Sequence, residues 1–310
     1  MLKVIYLGTP DFAIAPLKAI MQHHKVVAVV TQPDKKVGRN QHLTPTPVKQ
    51  FALENDIPVY TFERINKEGQ EILSQYNADI MVTCAYGQIL RKHILDLTPM
   101  GVYNIHGSIL PRWRGAAPIQ WAVLSGDTTT GITILKSDIG MDDGDILLTK
   151  EMDILPEYTA GDLFDKLTIL GAEAIVEALT ILESGDFTLT PQDDKLVTHA
   201  RMLEKEDCLL SFSQPSKSVV AWVKGLNPSP IALIYYEGQP IKVYDAKVVS
   251  YEGGAKPGEI IIASPKQGLV IATIDGAVEL TEIQAQNSKR MPAKNYLNGK
   301  KMNIGSIVNE

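Results

Sequence analysis

The stretch GVYNIHGSILPRWRGAAPI, residues 101–119, and its companion DIGMDDGDI, residues 138–146, decide how this chain is read. The first begins as an apolar strand. Alternate side chains on a strand share a face, so Asn104 and His106 stand side by side on one surface. Gly107 and Ser108 then break the strand, and Pro111 with Arg112, Trp113, Arg114 and Gly115 makes a stiff, cationic loop unsuited to a core. A loop hung from the carboxyl end of a strand lies where open parallel sheets bind their ligands. The Asp/Gly run adds carboxylates on a tight turn. An amide, an imidazole and a carboxylate together can polarise a carbonyl and pass a proton.

No nucleophile accompanies them. Ser108 follows His106 without a G-x-S-x-G elbow, and Cys84 is embedded in an apolar run. The set therefore suits direct transfer of an activated acyl group to an external amine. Asp138, Asp142, Asp143 and Asp145 lie close together, but their spacing fails the EF-hand pattern, so no metal is expected. Of the six histidines, only His106 follows an Asn at strand spacing and precedes a glycine turn.

Working outward, residues 2–7, 26–31 and 79–85 read as buried strands, with helices starting after the first strand, near Pro47, and over residues 65–76. Strand alternating with helix implies a parallel sheet with right-handed crossovers. Gly8-Thr9-Pro10 lacks G-x-G-x-x-G, and no acidic residue ends the second strand, which excludes a nicotinamide site. Residues 32–48 form a polar, Pro-containing loop. Further helices are expected at 116–124 and 157–183, the latter opened by a Thr159/Asp162 capping box, with a strand at 131–136 between them.

Residues 187–206 read as a linker between a first domain, 1–186, and a second, 207–310. The second shows a helix at 215–225 and five short runs of strand character at 231–236, 241–249, 259–263, 269–274 and 278–285, the signature of a small OB-like β-barrel. Lys289, Arg290, Lys294, Lys300 and Lys301 form the densest basic group of the chain.

NIHGSILPRWRGAAPIQWAVLSGD with TGITI and DIGMDDGDIL resembles the methionyl-tRNA formyltransferases, a family of folate-dependent formyltransferases, and the resemblance runs through essentially the whole chain. It implies an α/β fold with a Rossmann-like parallel-sheet catalytic domain before the OB-like domain. It also implies transfer of the formyl group of 10-formyltetrahydrofolate to the amino group of methionyl initiator tRNA, with no metal. Asn104, His106 and Asp142 match the family's catalytic residues. Ser108, Ile109, Leu110 and Pro111 match its folate-binding loop, with Gln88, Leu90 and Gly140 added as cofactor contacts. TQPD and the GR after it resemble the loop that enters the acceptor end of tRNA. Lys35, Lys36 and Arg39 are its tRNA-binding positions here, joined by Lys289, Arg290 and Lys294 of the basic group. After Arg39 this chain has Asn40, Gln41 and His42 where glycine and lysines are common, so the loop is less cationic than the family's. Rival readings are a formyltransferase acting on a small amine, such as a nucleotide or amino sugar, and a formyl-folate hydrolase. GTPDF, the TQPD loop and PRWRGAAPIQ speak against both.

Composition bounds the rest. The formal charge is -6 over 310 residues, so a polyanionic partner must be met by local patches rather than by the whole. Two cysteines cannot build a disulfide framework, and no apolar run reaches the ~20 residues of a membrane helix. With no leader pattern at the start, a monomer in the bacterial cytoplasm is the expectation.

Overall fold

The run KVIYLG forms strand β1 (Lys3–Gly8), with every residue after Lys3 buried, as a strand covered on both faces must be. The computed structural model describes residues 1–38 and 41–309, and Arg39 lies outside them. The chain divides into two compact units: the first comprises Met1–Pro118, Thr129–Asp153 and Phe164–Ala200, the second Ile119–Thr128, Ile154–Leu163 and Arg201–Glu310.

In the first unit β1 lies between β2 (Lys25–Thr31) and β4 (Ile80–Cys84); β3 (Val59–Thr61) extends one side, and β5 (Val102–His106), β6 (Thr129–Lys136) and β7 (Ile146–Asp153) the other. The order across the sheet is β7-β6-β5-β4-β1-β2-β3. β1 to β5 pair in parallel, while β6 runs antiparallel to both β5 and β7. The sheet is thus mixed at one edge instead of wholly parallel. β3 and β7 escaped the sequence reading for one reason: VYT is short, and ILLTKEMD is a half-exposed strand on the edge, where polar residues dilute the apolar signal.

Helices α1 (Ile14–His23), α2 (Pro47–Glu54) and α3 (Ile65–Ser74) fall where the apolar spacing places them. α2 starts with Pro47 in its first turn, and the Thr46 hydroxyl accepts a hydrogen bond from the Lys49 amide, a cap that fixes its start. The loop before it carries a small hairpin, Lys35–Val37 against His42–Thr44, that propensity did not announce. Ile5, Leu7, Ala28, Val30, Ile65, Leu73, Met81 and Val102 make one continuous core beside the sheet. Further along the chain, α4 (Ala160–Ser184) opens with the reciprocal bonds expected of a capping box, Thr159 N to Asp162 Oδ2 at 2.9 Å and Asp162 N to Thr159 Oγ1 at 3.2 Å.

The second unit is built on an antiparallel sheet of order β8-β9-β12-β11-β10, where β8 is Ala232–Tyr236, β9 Gln239–Val249, β10 Ile260–Ser264, β11 Gly268–Ala272 and β12 Ala277–Ala285. These are the five strands expected from the sequence. Among the described residues no ladder joins β8 to β10, so the pairing gives an antiparallel sheet and does not confirm the expected OB-like barrel. Helices α5 (Ser216–Gly225) and α6 (Ala293–Gly299) supply Val219, Val223, Ala293 and Leu297 to its core. Of the basic group near the end, Lys294 rides on a helix whose other face is buried, while Lys289, Arg290, Lys300 and Lys301 lie outside that helix and are exposed. No described helix is long and apolar enough to cross a membrane.

Candidate active site

The candidate site is assembled at the carboxyl end of β5, which delivers Asn104 and His106 on one face. β4 is paired with β5 so that Thr83 stands in register with Asn104. Its hydroxyl donates to Asn104 Oδ1 at 2.8 Å, which turns the amide nitrogen the other way. That nitrogen donates to Asp142 Oδ1 at 3.2 Å, and only one of its two hydrogens is used there.

His106 is almost fully buried. Its Nε2 donates to the Trp113 carbonyl at 2.9 Å, and its Nδ1 lies 3.5 Å from Asp142 Oδ2. Both ring nitrogens thus face oxygen atoms. The 3.5 Å separation is an ion-pair distance, longer than a direct hydrogen bond, and leaves a proton path that a small group can complete.

Asp142 reaches this position from a turn with a left-handed backbone, φ +53°. Oδ2 also accepts the Gly115 amide at 2.9 Å, so the loop after β5 and the Asp/Gly turn are tied through one carboxylate. Gly115 has φ +125°, and a Cβ there would stand 2.7 Å from the Ala200 carbonyl oxygen, so only glycine lets these chains approach. At Gly144 a Cβ would stand 1.8 Å from the Lys136 carbonyl oxygen, which closes the turn against β6.

The loop between these pieces is held from inside. Thr133 Oγ1 donates to the Ser108 carbonyl at 2.7 Å and accepts the Leu110 amide at 3.1 Å, while Ser108 Oγ donates to the Arg112 carbonyl at 2.7 Å. The guanidinium of Arg112 lies over the Trp113 ring, 4.3 Å from its centre. No thiol competes for the chemistry: Cys84 is fully buried, and burial pushes its thiol up to about 12, leaving no thiolate at neutral pH. Burial also raises the thiol of Cys208, with Asp207 and Glu206 adding to it. No cluster of metal-binding side chains occurs among the described residues.

The sequence therefore picked out the three groups that meet, Asn104, His106 and Asp142, and placed Ser108 to Pro111 in the loop beside them. Of the other expected positions in the first unit, Gly140 shares the turn of Asp142 and the rest lie elsewhere. The Gln88 side chain accepts the Ile65 amide at 3.0 Å and donates to the Phe62 carbonyl at 2.9 Å, a structural clamp on the start of α3. Leu90 is buried in the core beside β1, and Gly140 is exposed on the Asp/Gly turn. Lys35 and Lys36 are exposed on the small hairpin. In the second unit Lys289 is exposed, Arg290 pairs with Glu282 and lies over the Tyr244 ring, and Lys294 Nζ lies 4.0 Å from Glu279. Thr83, Thr133, Thr198 and Gln192 were missed. Each reaches the site from a distant part of the chain, and nothing local marks it; register with Asn104 is a property of the folded sheet.

A mixed, largely parallel sheet that brings an Asn/His/Asp group together at a strand end suits the chemistry of acyl transfer. Residues 2–179 match the family model described as formyl transferase, and residues 202–301 the one described as formyl transferase, C-terminal domain. A curated relative named methionyl-tRNA formyltransferase, from Geotalea daltonii, is 41% identical over 307 residues, covering 98% of this chain and 97% of that protein. The chain belongs to the formyl transferase family, among the methionyl-tRNA formyltransferases. Solved structures share the fold at lower identity. An N-formyltransferase from Helicobacter canadensis, in complex with folinic acid and dTDP-3-aminofucose, superposes with a TM-score of 0.69 at 17% identity, over 90% of this chain and 99% of that one. HypX from Aquifex aeolicus, in complex with tetrahydrofolic acid, superposes with a TM-score of 0.62 at 18% identity over 98% of this chain. This chain spans about half of HypX, 50% of its length.

Proposed function

We propose that this protein transfers the formyl group of 10-formyltetrahydrofolate to the amino group of methionyl initiator tRNA. The observation that carries the chemistry is the convergence of Asn104, His106 and Asp142 at the end of β5, with one amide hydrogen of Asn104 unspent among the described residues. Such a donor set suits a carbonyl oxygen that gains negative charge. The acceptor is carried by kinship with proteins named methionyl-tRNA formyltransferase, matched over nearly their whole length.

When bound, 10-formyltetrahydrofolate supplies a formyl carbon activated by its folate nitrogen. Asn104 donates its remaining amide hydrogen to the formyl oxygen, and His106 joins it once Nε2 gives up the Trp113 carbonyl, while the methionyl amine, unprotonated, attacks that carbon. A new C–N bond forms to the methionyl nitrogen, the bond to the folate nitrogen breaks, and one proton passes from the first nitrogen to the second. Asp142 keeps His106 oriented and receives that proton in transit, directly or through a water. The segment 108–111 holds the folate, with the turn at Gly140 and the backbone of Gln88 and Leu90 as further contacts; orientation is its contribution. The catalytic part includes the segment up to Ala200. Lys35 and Lys36 on the hairpin meet tRNA phosphates, as do Arg39, which lies outside the described residues, and Lys289, Arg290 and Lys294 of the second unit. The test is transfer of labelled formyl with methionyl initiator tRNA, methionyl elongator tRNA, an amino-sugar nucleotide and water as competing acceptors. Label in methionyl initiator tRNA supports the reading, and label in any other acceptor replaces it.

A further inference from the structure

The segment 187–206 looked like a linker, and residues 180–201 fall between the stretches matched by the two family models. In the first unit that segment is stitched to the site instead. Thr190 exchanges backbone bonds with Ile146 at the start of β7, both at 2.8 Å. Thr198 accepts the Trp113 amide on its hydroxyl at 2.9 Å and the Arg114 amide on its carbonyl at 2.9 Å, and His199–Ala200 pairs in parallel with Arg114–Gly115.

Between these anchors Gln192 turns its side chain inward. Nε2 donates to the carbonyl of Asp142 at 2.8 Å and to that of Gly144 at 2.8 Å, while Oε1 accepts Arg114 Nε at 2.9 Å. Every hydrogen-bonding group of the amide is thereby engaged except one lone pair. The carbonyls it grips bracket the turn whose first residue has the left-handed backbone of Asp142, a conformation that costs an aspartate free energy unless its surroundings impose it.

We infer that Gln192 is a positioning residue for the proposed formyl transfer: it holds the Asp142 turn from behind, so that the carboxylate stays against His106 and Asn104. It touches no reacting atom. Its amide fixes the backbone of 142 and 144, the backbone fixes the carboxylate, and Arg114 fixes the amide.

The inference rests on the function proposed above, and the experiment separates the two. Formyl transfer to methionyl initiator tRNA is measured for the wild-type chain, for Gln192→Met, which keeps length but has no donors, and for Gln192→Glu, which keeps the acceptor for Arg114 and turns the donors into acceptors. Both variants are expected to lose turnover by roughly ten- to a hundredfold, the scale of a misplacement near 1 Å. The KM for 10-formyltetrahydrofolate should stay within about twofold, with the thermal midpoint little changed. Placed in an Asp142→Asn background, Gln192→Met should cost nothing further, because the two act as one unit. Unchanged turnover in both variants, or losses that multiply in the double variant, overturns the assignment, as does a loss that only tracks the thermal midpoint. A wild-type chain that transfers no formyl to this acceptor overturns the function first and the role with it.

Discussion

At the scale of single residues the site is a set of mutual constraints in which each polar atom fixes the next. Asp142 accepts from two donors, the amides of Asn104 and Gly115, and faces the ring of His106 at 3.5 Å, so its loss leaves a buried imidazole and a directed amide without their partner. His106→Ala and Asp142→Ala are each expected to lower turnover about 10²- to 10⁴-fold, the range of general acid–base removal, while folate binding measured by fluorescence shifts little. Comparable losses in turnover and in folate binding would contradict the division of roles. Thr83 gives a finer test. It supplies the only described donor to Asn104 Oδ1, and without it the acceptor stays unsatisfied beside a half-buried carboxylate. Thr83→Val keeps the shape and should reduce turnover about five- to tenfold, about 1 kcal/mol for one hydrogen bond, with Thr83→Ser restoring it. Equal turnover in wild type and Thr83→Val would show that the amide is held without that hydroxyl.

At the scale of elements, legibility in the sequence followed how local the cause is. β1, β2, β4 and β5 are apolar runs and α4 has a capping box, so each announces itself in its own residues. β3, β7 and the 35–44 hairpin are short or half-exposed and exist because a neighbour pairs with them. The candidate site split along the same line: Asn104 and His106 share a strand, and Asp142 lies in a conspicuous turn, whereas Thr83 and Gln192 are brought in by register and by a segment without pattern. α6 was hidden by its charge, since Lys294 drew attention from Ala293 and Leu297 beneath it. Leu297 packs in the core of the second unit, and Leu297→Ala should destabilise that unit by about 2–4 kcal/mol in a denaturant titration. A loss within error would mean that the helix is an exposed appendage.

At the scale of the whole molecule the charge balance is the constraint. A chain of formal charge -6 must bind a polyanion through local cations, and those picked from the sequence differ in availability. Lys35, Lys36 and Lys289 are exposed, whereas Arg290 and Lys294 lie beside Glu282 and Glu279 and must trade those partners for phosphates. Affinity for methionyl initiator tRNA should fall linearly in log–log form with salt, and Lys35→Ala with Lys36→Ala should flatten the slope by about 1 for each phosphate no longer neutralised. An unchanged slope would remove the hairpin from the interface. The central claim is the acceptor, and the most direct measurement is transfer of labelled formyl from 10-formyltetrahydrofolate with methionyl initiator tRNA offered beside methionyl elongator tRNA, an amino-sugar nucleotide and water. Label is expected in methionyl initiator tRNA and is expected to be lost in His106→Ala; folate consumed with label released as formate or carried by the amino sugar would refute that acceptor.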